Sequence, residues 1–226
     1  MKSIIAIANR RLFFRTETDG MLTVSLVFSV ILVLGRMVAT GERVFMFMVW
    51  NLFLAYVPYV LSVWLSQTPS WIKNRFLFAV IFLAWLLFIP NAFYILTDLY
   101  HLGWHFGVPL WYDLVLIGSC AWNGLLLGVL SVRQMEKIVQ TYFFRKNELL
   151  FIYPIMFLNA FGVYIGRYLR FNSWNVITNP FGLISDILGI ILHPIHNLLG
   201  WGMIICYSVF MTLIYLTIKR ISKAIY

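Results

Sequence analysis

Charge is scarce in this chain: only 11% of its 226 residues are Asp, Glu, Lys or Arg, against about a quarter in soluble domains. A surface that poor in ions cannot face water on all sides, which excludes an ordinary soluble globular domain. Cysteine is scarcer still. Cys120 and Cys206 lie inside apolar runs without Cys-x-x-Cys spacing, so a disulfide framework and a zinc knuckle are both excluded. Glycine-rich phosphate loops are absent. So are basic-aromatic patches, and the net charge of +9 is scattered among apolar segments, which excludes nucleic acid as a partner.

Hydrophobic residues, by contrast, make up 62% of the chain. A helix needs about 20 apolar residues to cross a hydrocarbon core of roughly 30 Å. Six runs meet that length: Met21 to Ala39, Val44 to Leu65, Phe76 to Thr97, Leu114 to Val132, Leu149 to Gly166 and Leu198 to Ile218. The expected fold is therefore an all-α polytopic bundle of six transmembrane helices over residues 21–218. A cytoplasmic, interfacial segment precedes it at 1–20 and a cytoplasmic tail follows at 219–226. Asn9-Arg10-Arg11 resembles a twin-arginine export signal, but Glu17, Asp19 and Arg36 interrupt the pattern and no Ala-x-Ala follows, so no cleavage is expected. Arg36 is the one charge inside the runs and is expected to snorkel to the interface. The four-residue loop Thr40 to Arg43 is expected to close the first two helices into a tight hairpin.

Six crossings place the termini and the second and fourth loops on one side with thirteen basic residues, leaving Arg36, Arg43, Arg167 and Arg170 on the other. The positive-inside rule then puts both termini in the cytoplasm. Glu42, Asp98, Asp113 and Asp186 share the outer side with its four arginines, so that layer is neutral. One apolar segment, 181–193, is too short to cross. It reads as an outer interfacial or re-entrant helix with a polar stripe of Gly182, Ser185, Asp186, Gly189 and His193.

Polar residues inside a bilayer are functional candidates by default. Asn91, Tyr94, Asp98, His101 and His105 follow Pro90 at spacings of 3, 4, 3 and 4, one helical face if the helix continues past Gly103. The bland reading is that they bond to neighbouring helices. Arg167 and Arg170, three apart at the end of the fifth crossing, offer planar forks for a carboxylate or phosphate. Their ligand is either a small anion or lipid headgroup, or simply Asp98, Asp113 and Asp186. The imidazoles and carboxylates of Asp98, His101, His105, Asp186, His193 and His196 are weak metal-ligand candidates, because no His-Glu-x-x-His spacing accompanies them. Ser119, Cys120 and Ser131 have no adjacent base, which makes nucleophilic catalysis a weak proposal. Gly124 with Gly128, and Gly162 with Gly166, read as close-packing faces.

Three motifs carry a family resemblance: Pro90-Asn91-Ala92-Phe93-Tyr94 continuing to Thr97-Asp98-Leu99-Tyr100-His101-Leu102, then Trp111-Tyr112-Asp113-Leu114, then Gly166-Arg167-Tyr168-Leu169-Arg170-Phe171-Asn172-Ser173-Trp174. From the second crossing onward the chain resembles the bacterial multipass membrane family catalogued as domain of unknown function 1361. It departs at Phe171 and Asn175, where that family usually carries Trp and Asp. The resemblance implies a protein of the bacterial inner membrane and highlights Asp98, His101, Asp113, Arg167, Arg170 and Asn172. It implies no activity.

Three functions fit these readings. The favoured one binds or transports a small anion or anionic lipid headgroup through Arg167, Arg170, Asp113 and Asn172, with Asn91 and Tyr94 extending the polar path inward. A second is a non-catalytic subunit that packs on another membrane protein through its small-residue faces. The third is an outer-leaflet enzyme, either metal-free with Asp98 and His101 as acid and base or metal-dependent with them as ligands. Whether it is an enzyme, and with what cofactor, is not legible in the residues.

Overall fold

The computed structural model describes residues 2–103, 107–143, 148–171 and 178–224, with the side chains of all but 2–18 and 223. Every regular element among them is helical: α1 (Lys2–Thr40), α2 (Met46–Gln67), α3 (Pro69–Lys73), α4 (Arg75–Tyr94), a 3-10 segment (Ile95–His101), α5 (Leu110–Tyr142), α6 (Leu149–Tyr168), α7 (Pro180–Leu192) and α8 (Leu198–Ala224). Six stretches are long and apolar enough to cross a membrane: Asp19–Thr40, Met46–Gln67, Arg75–His101, Leu110–Tyr142, Leu149–Tyr168 and Leu198–Ser222. Each overlaps one of the six runs expected from the sequence, although the third extends to His101 and the fourth from Leu110 to Tyr142, beyond the expected ends at Thr97 and Val132; α7 is the short apolar helix expected near 181–193.

The central helix is α5, the most buried of the six. At 33 residues it rises roughly 50 Å, well beyond a hydrocarbon core of about 30 Å. On it pack α2, α4 and α1, while α6 packs on α4 and α8 on α6. Although a short loop joins α1 to α2, α1 packs mainly on α5. Its polar side chains explain why: Ser29 Oγ donates to Ser119 Oγ, Asn123 Nδ2 donates to the Ser25 carbonyl and to Ser29 Oγ, and the Tyr112 hydroxyl donates to the Leu32 carbonyl. In hydrocarbon those groups have no water to turn to, so they set the pairing.

Charge settles α1 as well. Arg36 does not snorkel; it is 1% exposed, with Nε 2.7 Å from Asp113 Oδ1, Nη2 donating to Oδ2, and its guanidinium 4.6 Å above the Phe45 ring. A fork matched by a carboxylate on the facing helix removes the reason to reach for water.

The two glycine pairs grip one segment from opposite sides. A Cβ on Gly124 would lie 2.6 Å from the Ala92 carbonyl oxygen, and one on Gly128 2.9 Å from the Phe93 ring. From α6, a Cβ on Gly162 would lie 2.7 Å from Pro90 and one on Gly166 3.2 Å from the Tyr94 ring. The packing reading therefore holds for both pairs. A contact surface for another protein at Gly124 and Gly128 does not, because both are buried against α4 of the same chain.

Candidate functional site

The gripped segment is where α4 changes character. Pro90 lies inside the helix, and four residues after it α-helical winding gives way to a 3-10 segment. The Thr97 hydroxyl donates to the Tyr94 carbonyl there. Tighter winding eclipses residues three apart, so Asp98 and His101 share a face. The chain then leaves the helix at Gly103, φ +82°, a conformation that glycine adopts without strain. The expected stripe thus ends at His101; His105 lies outside the described residues.

Arg167, in the last turn of α6, closes on this face. Its Nη2 lies 2.6 Å from Asp98 Oδ1 and donates also to Thr97 Oγ1, to which Nε donates at 3.0 Å. Its Nη1 lies 3.4 Å from His101 Nε2, an acceptor when the ring proton is on Nδ1. The guanidinium carbon sits 4.6 Å from the centre of the Tyr94 ring. The second carboxylate oxygen of Asp98 accepts from Asn51 Nδ2 of α2. Asp98 is 1% exposed and Arg167 15%. Of the five N–H donors a guanidinium carries, one on Nη1 remains for another acceptor. As an acid or base, Asp98 would first have to leave both Arg167 and Asn51.

Beside this knot lies a cavity of about 490 Å³, within the range of small-molecule sites. Asn51 and Phe47 of α2, Asn91 and Tyr94 of α4, Phe161 of α6 and Ile187 of α7 contribute to its lining. Its polar wall is carboxamide and phenol, and among the described residues no charged side chain lines it.

The structure therefore brings Asn91, Tyr94, Asp98, His101 and Arg167 to one place. Asp113 is elsewhere, bidentate with Arg36, so it does not hold Arg167. Arg170 is exposed just beyond α6 in a left-handed conformation, φ +60°, and Phe171 beyond it turns back into the cavity wall. Asp186, His193 and His196 are exposed on and after α7, the two imidazoles 6.1 Å apart. Among the described residues no three His, Cys, Asp or Glu side chains gather as metal ligands. Asn172 lies outside the described residues. Ser131 and Ser119 are occupied: Trp85 Nε1 donates to Ser131, which donates to the Pro58 carbonyl, and Ser119 donates to the Leu116 carbonyl.

Sequence reasoning missed Asn51 and Thr97, and the signal was present for one of them. Asn51 is a lone carboxamide inside an apolar run, the same cue that selected Asn91. It also missed a second ionic knot at the opposite end of the bundle. There Lys219 Nζ of α8 lies 2.7 Å from Glu136 Oε1 of α5 and also meets Glu148, and the Tyr215 hydroxyl donates to Glu136.

No curated protein and no solved structure matches the chain. A family model does, over residues 50–216, a span that holds Asn51, Asp98, Asp113 and Arg167. By that match the chain belongs to the family described as protein of unknown function (DUF1361).

Proposed function

We propose that this multipass membrane protein binds or moves an amphiphile carrying an anionic group, held at the end of the bundle where Asp98 meets Arg167. The cavity beside that ion pair supports the reading: an apolar chamber of about 490 Å³ with Asn51, Asn91 and Tyr94 as its polar groups. Arg167 is fixed by Asp98 and Thr97 with one donor to spare, and Arg170, exposed and next in the chain to the cavity-wall residue Phe171, has no ion pair among the described residues. The Asp98–Arg167 pair is electrically neutral, so Arg170 supplies the positive charge beside a neutral chamber. The excess of basic residues at the opposite end orients this site away from the cytoplasm in a bacterial inner membrane, with both termini inside.

The test is native mass spectrometry of detergent-purified protein against phosphatidylglycerol, phosphatidylcholine and inorganic phosphate. Phosphatidylglycerol should be retained over phosphatidylcholine. Arg170→Ala should weaken that retention about tenfold, near the lower worth of a charge-assisted hydrogen bond. Competition by inorganic phosphate alone would identify a soluble anion as the ligand. Equal retention of phosphatidylglycerol by Arg170→Ala and the parent overturns the reading.

A further inference from the structure

Resting on that reading, we infer that the chamber is a groove for a single acyl chain of a bilayer lipid, which slips in sideways beneath α7, and that α7 is the lid over it. The packing order opens the groove. Both α2 and α6 pack on α4 but scarcely on each other, so α4 forms the floor of a trough between them. The trough faces the bilayer: the floor and wall residues Leu83, Leu87 and Leu158 are exposed, Leu83 at 62%. At the Asp98 end it is stopped by the knot of Asp98, Arg167 and Asn51, which leaves the side as the way in for a hydrocarbon.

Its depth fits one leaflet. Along α4 the lining runs from Leu83 to Tyr94, eleven residue steps, a rise of about 16 Å and half of a core of roughly 30 Å. A chain whose polar end stays beside Tyr94 and Arg167 therefore reaches the level of Leu83 when extended.

Helical geometry divides α7 into three faces. Leu183 and Ile187 point into the groove and Ile190 is buried. Ser185 and Asp186, with His193 at the C-cap, form an exposed polar stripe. Phe181, Ile184, Leu188 and Ile191 form a third, apolar and exposed. An exposed carboxylate belongs in water and an exposed isoleucine row belongs in hydrocarbon, so α7 lies along the interface with its remaining face on the groove. It makes only sparse contacts with other helices. An element so lightly held, covering an apolar trough, is displaced at small cost.

The experiment uses the full chain in phosphatidylcholine vesicles containing a little phosphatidylglycerol with a diazirine close to the carboxyl end of one acyl chain, the depth of Leu54 and Phe161 when the headgroup sits beside Arg167. After irradiation, labelled residues are read by peptide mass spectrometry. Label is expected on the groove residues Leu54, buried, and Phe161, half-buried, as well as on Leu150 and Leu199, which any surrounding lipid can reach. Ile187→Trp, which fills the groove from the lid side, should lose most of the groove label and keep the label on Leu150 and Leu199, the sign that the chain is still inserted. Ile191→Trp, on the lipid face of the same helix, should change neither. Label confined to Leu150, Leu199 and similar residues of the parent protein overturns the groove. Groove label undiminished by Ile187→Trp, or lost equally with Ile191→Trp, overturns the lid. Groove label that persists in Arg170→Ala, with phosphatidylglycerol retention unchanged, removes the anionic headgroup and leaves the groove standing.

Discussion

Two arginines in this chain have opposite circumstances despite the same chemistry. Arg36 is sealed in, with Nη1 making no hydrogen bond and a ring below it, whereas Arg167 keeps a partly exposed edge and a donor to spare. Removing one member of the sealed pair strands a charge at membrane depth, which costs about 3–5 kcal/mol, while replacing both with apolar residues is close to neutral. Asp113→Leu should therefore lower the unfolding stability in detergent by that amount, and Arg36→Met combined with Asp113→Leu should restore most of it. A double variant no more stable than the single one would show that the pair does not interact as drawn. Thr97 is a subtler case, because its hydroxyl accepts from two nitrogens of Arg167 while donating to Tyr94. Thr97→Val keeps the shape and removes the acceptor. It should cost ~1–3 kcal/mol of stability, the penalty for leaving a guanidinium donor unpaired, and this is readable in the same denaturation series.

At the scale of elements, the segment from Pro90 to Ile95 is placed by what its neighbours lack. Gly124 and Gly162 let α5 and α6 come within contact of α4 backbone and proline ring, and this clamps Tyr94 beneath Arg167. Side chains on these glycines must push the clamp apart. Gly124→Val should destabilise by ~1–3 kcal/mol, as overpacked cores do, and Gly118→Val, on the same helix with nothing within 4 Å of its Cβ position, should cost less in a parallel thermal melt. The stripe Asn91, Tyr94, Asp98 and His101 was legible as a run of polar residues at helical spacing. Its change to 3-10 winding was not, since that depends on packing against α5, and no spacing announces it.

For the whole molecule, the two ends of the bundle are each tied by ions from different helices. Arg167 joins α6 to the 3-10 segment at one end, and Lys219 joins α8 to α5 and Glu148 at the other. Lys219→Met leaves Glu136, 2% exposed, with no cation beside it among the described contacts. It should cost ~3 kcal/mol or more of unfolding free energy, read as the shift in denaturant midpoint multiplied by the common slope. Sidedness has a direct check. With both native cysteines replaced by serine, Tyr168→Cys should react with an impermeant maleimide on intact cells and Tyr142→Cys only after permeabilisation, both positions being exposed. The reverse pattern would invert the orientation and place the groove in the cytoplasmic leaflet.

Composition and run length alone determined that the chain carries six helices long and apolar enough to cross a bilayer, because the hydrocarbon core imposes a minimum length and tolerates few charges; where each helix ends was decided by packing, which carries α5 ten residues past the expected Val132. Helical spacing determined which polar residues of α4 share a face. Partner choice was decided only by the tertiary structure. Four acids and four arginines expected in one layer allow many pairings, and the fold selected Arg36 with Asp113 and Arg167 with Asp98 because α1 lies on α5 and α6 on α4. The groove was equally invisible beforehand: it arises where α2 and α6 fail to meet, and a gap between helices leaves no mark on the residues of either one.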